Sequence, residues 1–192
     1  MADRAARFPR VAPVVLALLL SVTVAAQAVS VHRSGDNMVV RAPAFTFIKG
    51  EPLARLKDGR SVRVDLTLAI LPRAGAARVA ETQQSFVLSY DLWEERFAVS
   101  HPGPPPKSAA YLTASAAESW CIDQLMVPIS AMGPLGKNGP FWIRLEYRIQ
   151  DGDPPSGDSG YTLQGLIDAL SRRRKAGEWT HSMEAGPFRI QP

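Results

Sequence analysis

The chain has 192 residues, 46% of them hydrophobic and 21% charged, with a formal net charge of +4. That length and apolar content fit one globular domain plus a short appendage. A lone cysteine, Cys121, excludes an internal disulfide, and the 16 prolines and 14 glycines, spread through the chain, cut it into the short pieces of a β-rich domain.

The N-terminus reads as a targeting segment. Arg4, Arg7 and Arg10 make a basic start opposed only by Asp3, and Val11 to Ala26 is almost wholly apolar. Ala26-Gln27-Ala28 then offers the small residues a signal peptidase reads. The apolar run is shorter than the roughly 20 residues that span a bilayer comfortably. A signal peptide over residues 1–28, cleaved after Ala28, is therefore expected. The alternative is an uncleaved anchor that leaves one N-terminal helix in the membrane. Lipoprotein attachment would need a cysteine directly after the apolar run, and Cys121 is far from it. With Trp120 and Ile122 as neighbours, Cys121 is expected to be a buried, inert thiol. Cleavage removes three arginines and one aspartate and lowers the net charge from +4 to +2. A mature domain this near neutrality gives no case for a nucleic-acid partner.

Residues 29–36 are polar and read as a flexible leader, so the folded domain is expected over 37–192. Met38-Val39-Val40 predicts a first short strand and Phe45-Thr46-Phe47-Ile48 a second piece, with Pro43 between them. Glu51 to Lys57 predicts a short helix, with Pro52 in its first turn and Gly59 ending it. Ser61 to Leu71 alternates. Val62, Val64, Leu66, Leu68 and Ile70 share one face, opposite Arg63, Asp65 and Thr67. Arg78 to Tyr90 continues as a long strand, turns at Asp91-Leu92-Trp93-Glu94, and returns over Glu95 to Ser100.

His101 to Lys107 holds four prolines and a glycine and must be a connector. A brief strand at Tyr111-Leu112-Thr113 precedes a helix to about Gln124, capped by Thr113 or Ser115, with Ala117, Trp120, Cys121 and Gln124 on one face. Leu125 to Ile129 is apolar and extended and suits a sheet edge, and Gly133 to Pro140 predicts a loop. Phe141 to Ile149 is the clearest strand. Phe141, Ile143, Leu145, Tyr147 and Ile149 face a core, while Trp142, Arg144, Glu146 and Arg148 face water. Asp151 to Gly160 is loop. Tyr161 to Lys175 predicts a helix with Leu163, Leu166, Ile167 and Leu170 inward and Arg172, Arg173, Arg174 and Lys175 in its last turn. Thr180 to Ile190 predicts a last strand.

The sequence carries little chemistry. The histidines His32, His101 and His181 stand far apart, without the ligand spacing of a metal site. There is no nucleophile elbow and no histidine near Ser119-Trp120-Cys121. Gly133-Pro134-Leu135-Gly136-Lys137 lacks the spacing of a phosphate-binding loop. Glu94 and Glu95 sit in a turn, where solvated carboxylates are ordinary. No catalytic residue, cofactor or metal is expected. Two surfaces remain as candidates. Trp142, Arg144 and Arg148 combine an aromatic with guanidinium groups, as binding hot spots do, although cross-strand pairing with Arg63 and Asp65 would equally explain them. The run Arg172 to Lys175 is either a solvated helix end or a contact for an acidic partner or an anionic membrane surface. Near anionic lipid each cation would contribute about 1 kcal/mol.

These pieces resemble a family of short exported bacterial proteins of unknown function. The resemblance runs over residues 37–150. It rests on the helix-Gly-strand unit Leu53 to Ile70, the hairpin Phe86–Tyr90 through Phe97–Val99, the helix Ala114 to Gln124, and the long strand ending in Tyr147-Arg148. The helix over Tyr161–Lys175 and the tail Glu184–Phe188 lie outside the pattern. Members are often encoded near membrane sensor kinases, so the resemblance implies an accessory envelope role. It brings no catalytic residues with it.

The expected fold is mainly β (α+β), a single antiparallel β-sandwich of about seven strands with two or three short helices, preceded by a signal peptide. The expected function is a non-enzymatic binding or accessory module of the periplasm or cell exterior, with an envelope or membrane protein as its partner. Two alternatives stand beside it. One is a hydrolase of envelope polymers using carboxylates from separate strands, and the other is a scaffold element that pairs through the strand edge at Leu125–Ile129. Oligomeric state is left open.

Overall fold

Alternation in the sequence becomes a six-stranded antiparallel sheet with one dry face. The structure, a computed structural model, describes residues 29–136, 139–151 and 178–190. The expected signal peptide over 1–28 and the expected helix Tyr161–Lys175, with Arg172, Arg173, Arg174 and Lys175, lie outside the described residues.

The large sheet is built from β3 (Val62–Leu71), β4 (Ala80–Asp91), β5 (Arg96–His101), β6 (Lys107–Leu112), β8 (Phe141–Asp151) and β9 (Trp179–Phe188), in the order β6-β5-β4-β3-β8-β9. β3 and β8 are central. Their register sets Leu66 opposite Tyr147, Leu68 opposite Leu145 and Ile70 opposite Ile143. These inward residues, with Phe86, Leu88, Phe97 and Val99 of the neighbouring strands, are buried. Burial of a Leu, Ile or Phe side chain contributes about 1.5–3 kcal/mol, so this face holds the fold.

A second layer covers it. A three-stranded antiparallel sheet of β1 (Ser30–Ser34), β2 (Asn37–Arg41) and β7 (Met126–Pro128), ordered β1-β2-β7, brings Met38, Val40 and Val127 to the core. Helix α1 (Gly50–Lys57) adds Leu56, and helix α2 (Ala114–Asp123) adds Ala117, Cys121 and Ile122. Thr113 caps α2, its hydroxyl accepting from the Ala116 N–H at 3.3 Å. A kinked 3-10 segment, Ile129–Gly136, buries Met132. Among the described residues the result is mainly β, nine strands in two antiparallel sheets with three short helical segments.

Several local expectations change. The residues expected as a loose leader form β1, which pairs with β2 through a turn at Gly35-Asp36, where Gly35 supplies a φ of 59°. The pairing runs from Ser30 opposite Arg41 to Ser34 opposite Asn37. Phe45–Ile48 is not a strand: the Phe45 N–H donates to the Ala42 carbonyl, and the Phe47 and Ile48 N–H groups are taken by a side chain rather than by a neighbouring strand. The proline connector is a short hairpin loop joining β5 to β6. Part of the loop expected at Gly133–Pro140 lies inside the 3-10 segment. Among the described residues, no helix is long and apolar enough to cross a membrane.

Candidate functional site

Strands β4, β3, β8 and β9 turn their polar residues to the outer face of the large sheet. Register builds rows there. Arg148 lies opposite Asp65 and Thr180, Glu146 opposite Thr67 and Ser182, and Arg144 opposite Ala69 and Glu184. Asp65 in turn faces Ser85, and Thr67 faces Gln83. The twist of the sheet leaves an open concavity of about 700 Å³ over this face. Asp65, Thr67, Gln83, Glu146, Arg148, Thr180 and Ser182 line it, with Tyr147 and His181. Hydroxyls, an amide, two carboxylates and a guanidinium thus share one surface, a set that can both donate to and accept from a polar ligand.

One end of the face is closed. Trp142 is half-buried. Opposite it, β9 bulges, with Phe188 paired to Phe141 and Ala185 to Ile143. Gly186 sits in that bulge at φ +152°, and a Cβ there would lie 2.7 Å from the Trp142 ring. Beside it the Arg144 Nε donates to Glu184 Oε1 at 2.7 Å, and its Nη2 reaches the same oxygen at 2.6 Å. Glu184 Oε2 accepts the Gly75 N–H at 3.0 Å, which ties the β3–β4 loop to β9. The Gly75 N–H and the Arg144 guanidinium hold the Glu184 carboxyl below the usual carboxylate range.

The other end is open. Arg148 is exposed and pairs with Glu178 at 3.0 Å, both side chains more than half in water. Asp65 accepts a short hydrogen bond from the Ser85 hydroxyl. Of the three β8 candidates, then, Trp142 and Arg144 are engaged within the sheet and Arg148 faces the concavity. The expected pairing with Asp65 takes the form of cross-strand register, whereas Arg63 lies opposite Gln150.

The remaining titratable groups have local roles. His101 meets the Ser85 carbonyl at 3.0 Å through Nδ1 and packs on Phe86. His181 lies against Phe45 and Tyr147, and His32 is on β1. Cys121 is buried, and burial with the Glu118 charge nearby raises its thiol far above the usual range. Sequence reasoning missed Glu118. It is 6% exposed, and its Oε1 accepts the N–H groups of Phe47 and Ile48 at 2.6 and 2.7 Å. Burial raises its carboxyl above the usual range against the opposing pull of those two donors and of Lys49. The available signal was spacing: Glu118, Cys121, Ile122 and Leu125 follow the i, i+3, i+4, i+7 rule.

Comparison of the chain with protein-family models, with curated proteins and with solved structures found no match.

Proposed function

We propose that the protein is an exported, non-enzymatic binding module of the cell envelope that uses the open half of its outer sheet face, around Arg148, Thr67 and Ser182, to hold a partner. The observation that carries this reading is the polar concavity of about 700 Å³ across four strands. Its floor is a rigid sheet, which presents hydrogen-bonding groups at fixed spacing with little ordering entropy to lose. The basic start and apolar run of residues 1–28 support export. The resemblance to short exported bacterial proteins supports an accessory role beside a membrane complex, and Arg172 to Lys175 would add a weak contact with an anionic membrane surface. The test is capture by the mature chain, crosslinked to membranes of its source at low salt. Recovery of one partner, reduced by 0.5 M salt, is expected, and recovery of none would overturn the proposal.

A second reading, hydrolysis of an envelope polymer, is favoured by one feature. Asp65 faces Arg148 while Glu146 faces Thr67, so the two carboxylates are diagonal neighbours on adjacent strands. The backbones of diagonal positions lie roughly 7–8 Å apart, close enough for the two side chains to reach the carboxyl spacing of paired-carboxylate glycosidases. On this reading, reducing ends would be released from purified wall polymer, and Glu146→Gln would abolish the release.

A further inference from the structure

The tip of the β4–β5 hairpin does nothing for the core, yet it is the most apolar exposed point among the described residues. Trp93 is 95% exposed and Leu92 57%. The turn holds them out firmly: Asp91 Oδ1 accepts the N–H groups of Trp93 and Glu94 at 2.8 and 3.1 Å. Glu95 takes a φ of 51°, rare for a residue with a side chain, and its carbonyl accepts from Arg96 at 3.1 Å. A second exposed aromatic lies on β6, the edge strand beside β5. Leu112 of β6 pairs with Phe97 and Ala109 with Val99, so Ala110 and Tyr111 both oppose Ala98 in a bulge. Tyr111 is 74% exposed, and along the strands it lies on the order of 10–15 Å from the tip.

We propose that this tip is a docking site for a cationic, partly apolar segment of a partner polypeptide. Charge chooses the occupant. Asp91, Glu94 and Glu95 flank Trp93 in the turn against one cation, Arg96, which lies opposite Asp91 and donates to the Glu95 carbonyl, and among the described residues no ion pair engages any of the three carboxylates. The chain is positive with residues 1–28 and still +2 without them, so the acidic tip is a local reversal that steers a basic segment to one place. A lysine or arginine can stack on the indole face while meeting a carboxylate, and its apolar neighbours can cover Leu92. The same carboxylates repel an anionic membrane surface, so a lipid headgroup layer is the poorer occupant.

The test uses a fluorescein-labelled peptide alternating lysine and phenylalanine, titrated with the full chain. Binding is expected to fall at least tenfold for Trp93→Ala and for the double variant Glu94→Gln/Glu95→Gln. Glu81→Gln, an exposed carboxylate at the opposite end of β4, should bind as wild type does. Thermal unfolding should be the same for all, since these side chains face water. Equal binding by Trp93→Ala would overturn the proposal, as would equal binding of a peptide alternating glutamate and phenylalanine. A blue shift of Trp93 emission on phosphatidylglycerol vesicles without peptide binding would assign the tip to membrane instead.

Discussion

Each face of the large sheet has a carboxylate that ties down a loop, and the two work under opposite conditions. Glu118, inside, is buried and holds the Phe47 and Ile48 donors before α1. Glu184, outside, is partly solvated and holds Gly75 and Arg144. Burial raises the first carboxyl, and favourable donors lower the second. The inner anchor therefore keeps two buried donors paired at an electrostatic cost, while the outer one is held by favourable donors near water. The difference separates two settings: the dry side holds its donors away from water, and the wet side keeps its polar groups within reach of solvent.

The largest expected effect breaks the inner anchor. Glu118→Ala orphans two buried N–H groups, each worth about 1–3 kcal/mol, so urea unfolding should show a loss of about 2–6 kcal/mol. Glu118→Gln keeps an acceptor oxygen and should lose far less. Its comparison with wild type also has a pH signature. Because the folded value is raised, the stability Glu118 contributes is fully present below its unfolded pKa, about 4.3, and is lost as pH rises through the folded value. The Gln variant should thus gain on wild type from acid to neutral pH.

Next in size is Gly186→Ala. The new Cβ would meet the Trp142 ring at 2.7 Å and the Phe141 carbonyl at 3.0 Å. A loss of about 1–3 kcal/mol is expected, together with a change in Trp142 emission, and an unchanged melting temperature would show that the bulge yields. The smallest effect is at Glu184→Gln. Here the folded pKa is lowered, so the contribution is present above about pH 4.3 and lost as pH falls through the folded value. The melting-temperature gap to wild type should close in acid, with the opposite slope to that of Glu118.

Much of this was legible in the chain. Strict alternation over Ser61–Leu71 and Phe141–Ile149 marks the two central strands and their dry and wet faces, because one-sided burial repeats every second residue. The wet side of β8 could be named, but not which of its residues stay open. That depends on Glu184 and Gly186 of β9, whose pairing with β8 is a long-range event. β1 escaped notice because Ser30, His32, Arg33 and Ser34 are exposed and carry no apolar pattern. Phe45–Ile48 has strand-like side chains, whereas two of its N–H groups, those of Phe47 and Ile48, are satisfied by Glu118, about seventy positions away. At the hairpin tip the turn was readable from Asp91-Leu92-Trp93-Glu94, but the full exposure of Trp93 was not.

The central claim is that the open half of the outer face reads a partner while the inner face holds the fold. It is tested most directly by Gln83→Arg and Ser182→Arg, two exposed positions flanking Thr67 and Glu146 across the concavity. In the membrane-crosslinking capture, the account predicts that the double variant loses the partner at least tenfold while its melting temperature matches wild type. Undiminished capture by this variant would contradict it.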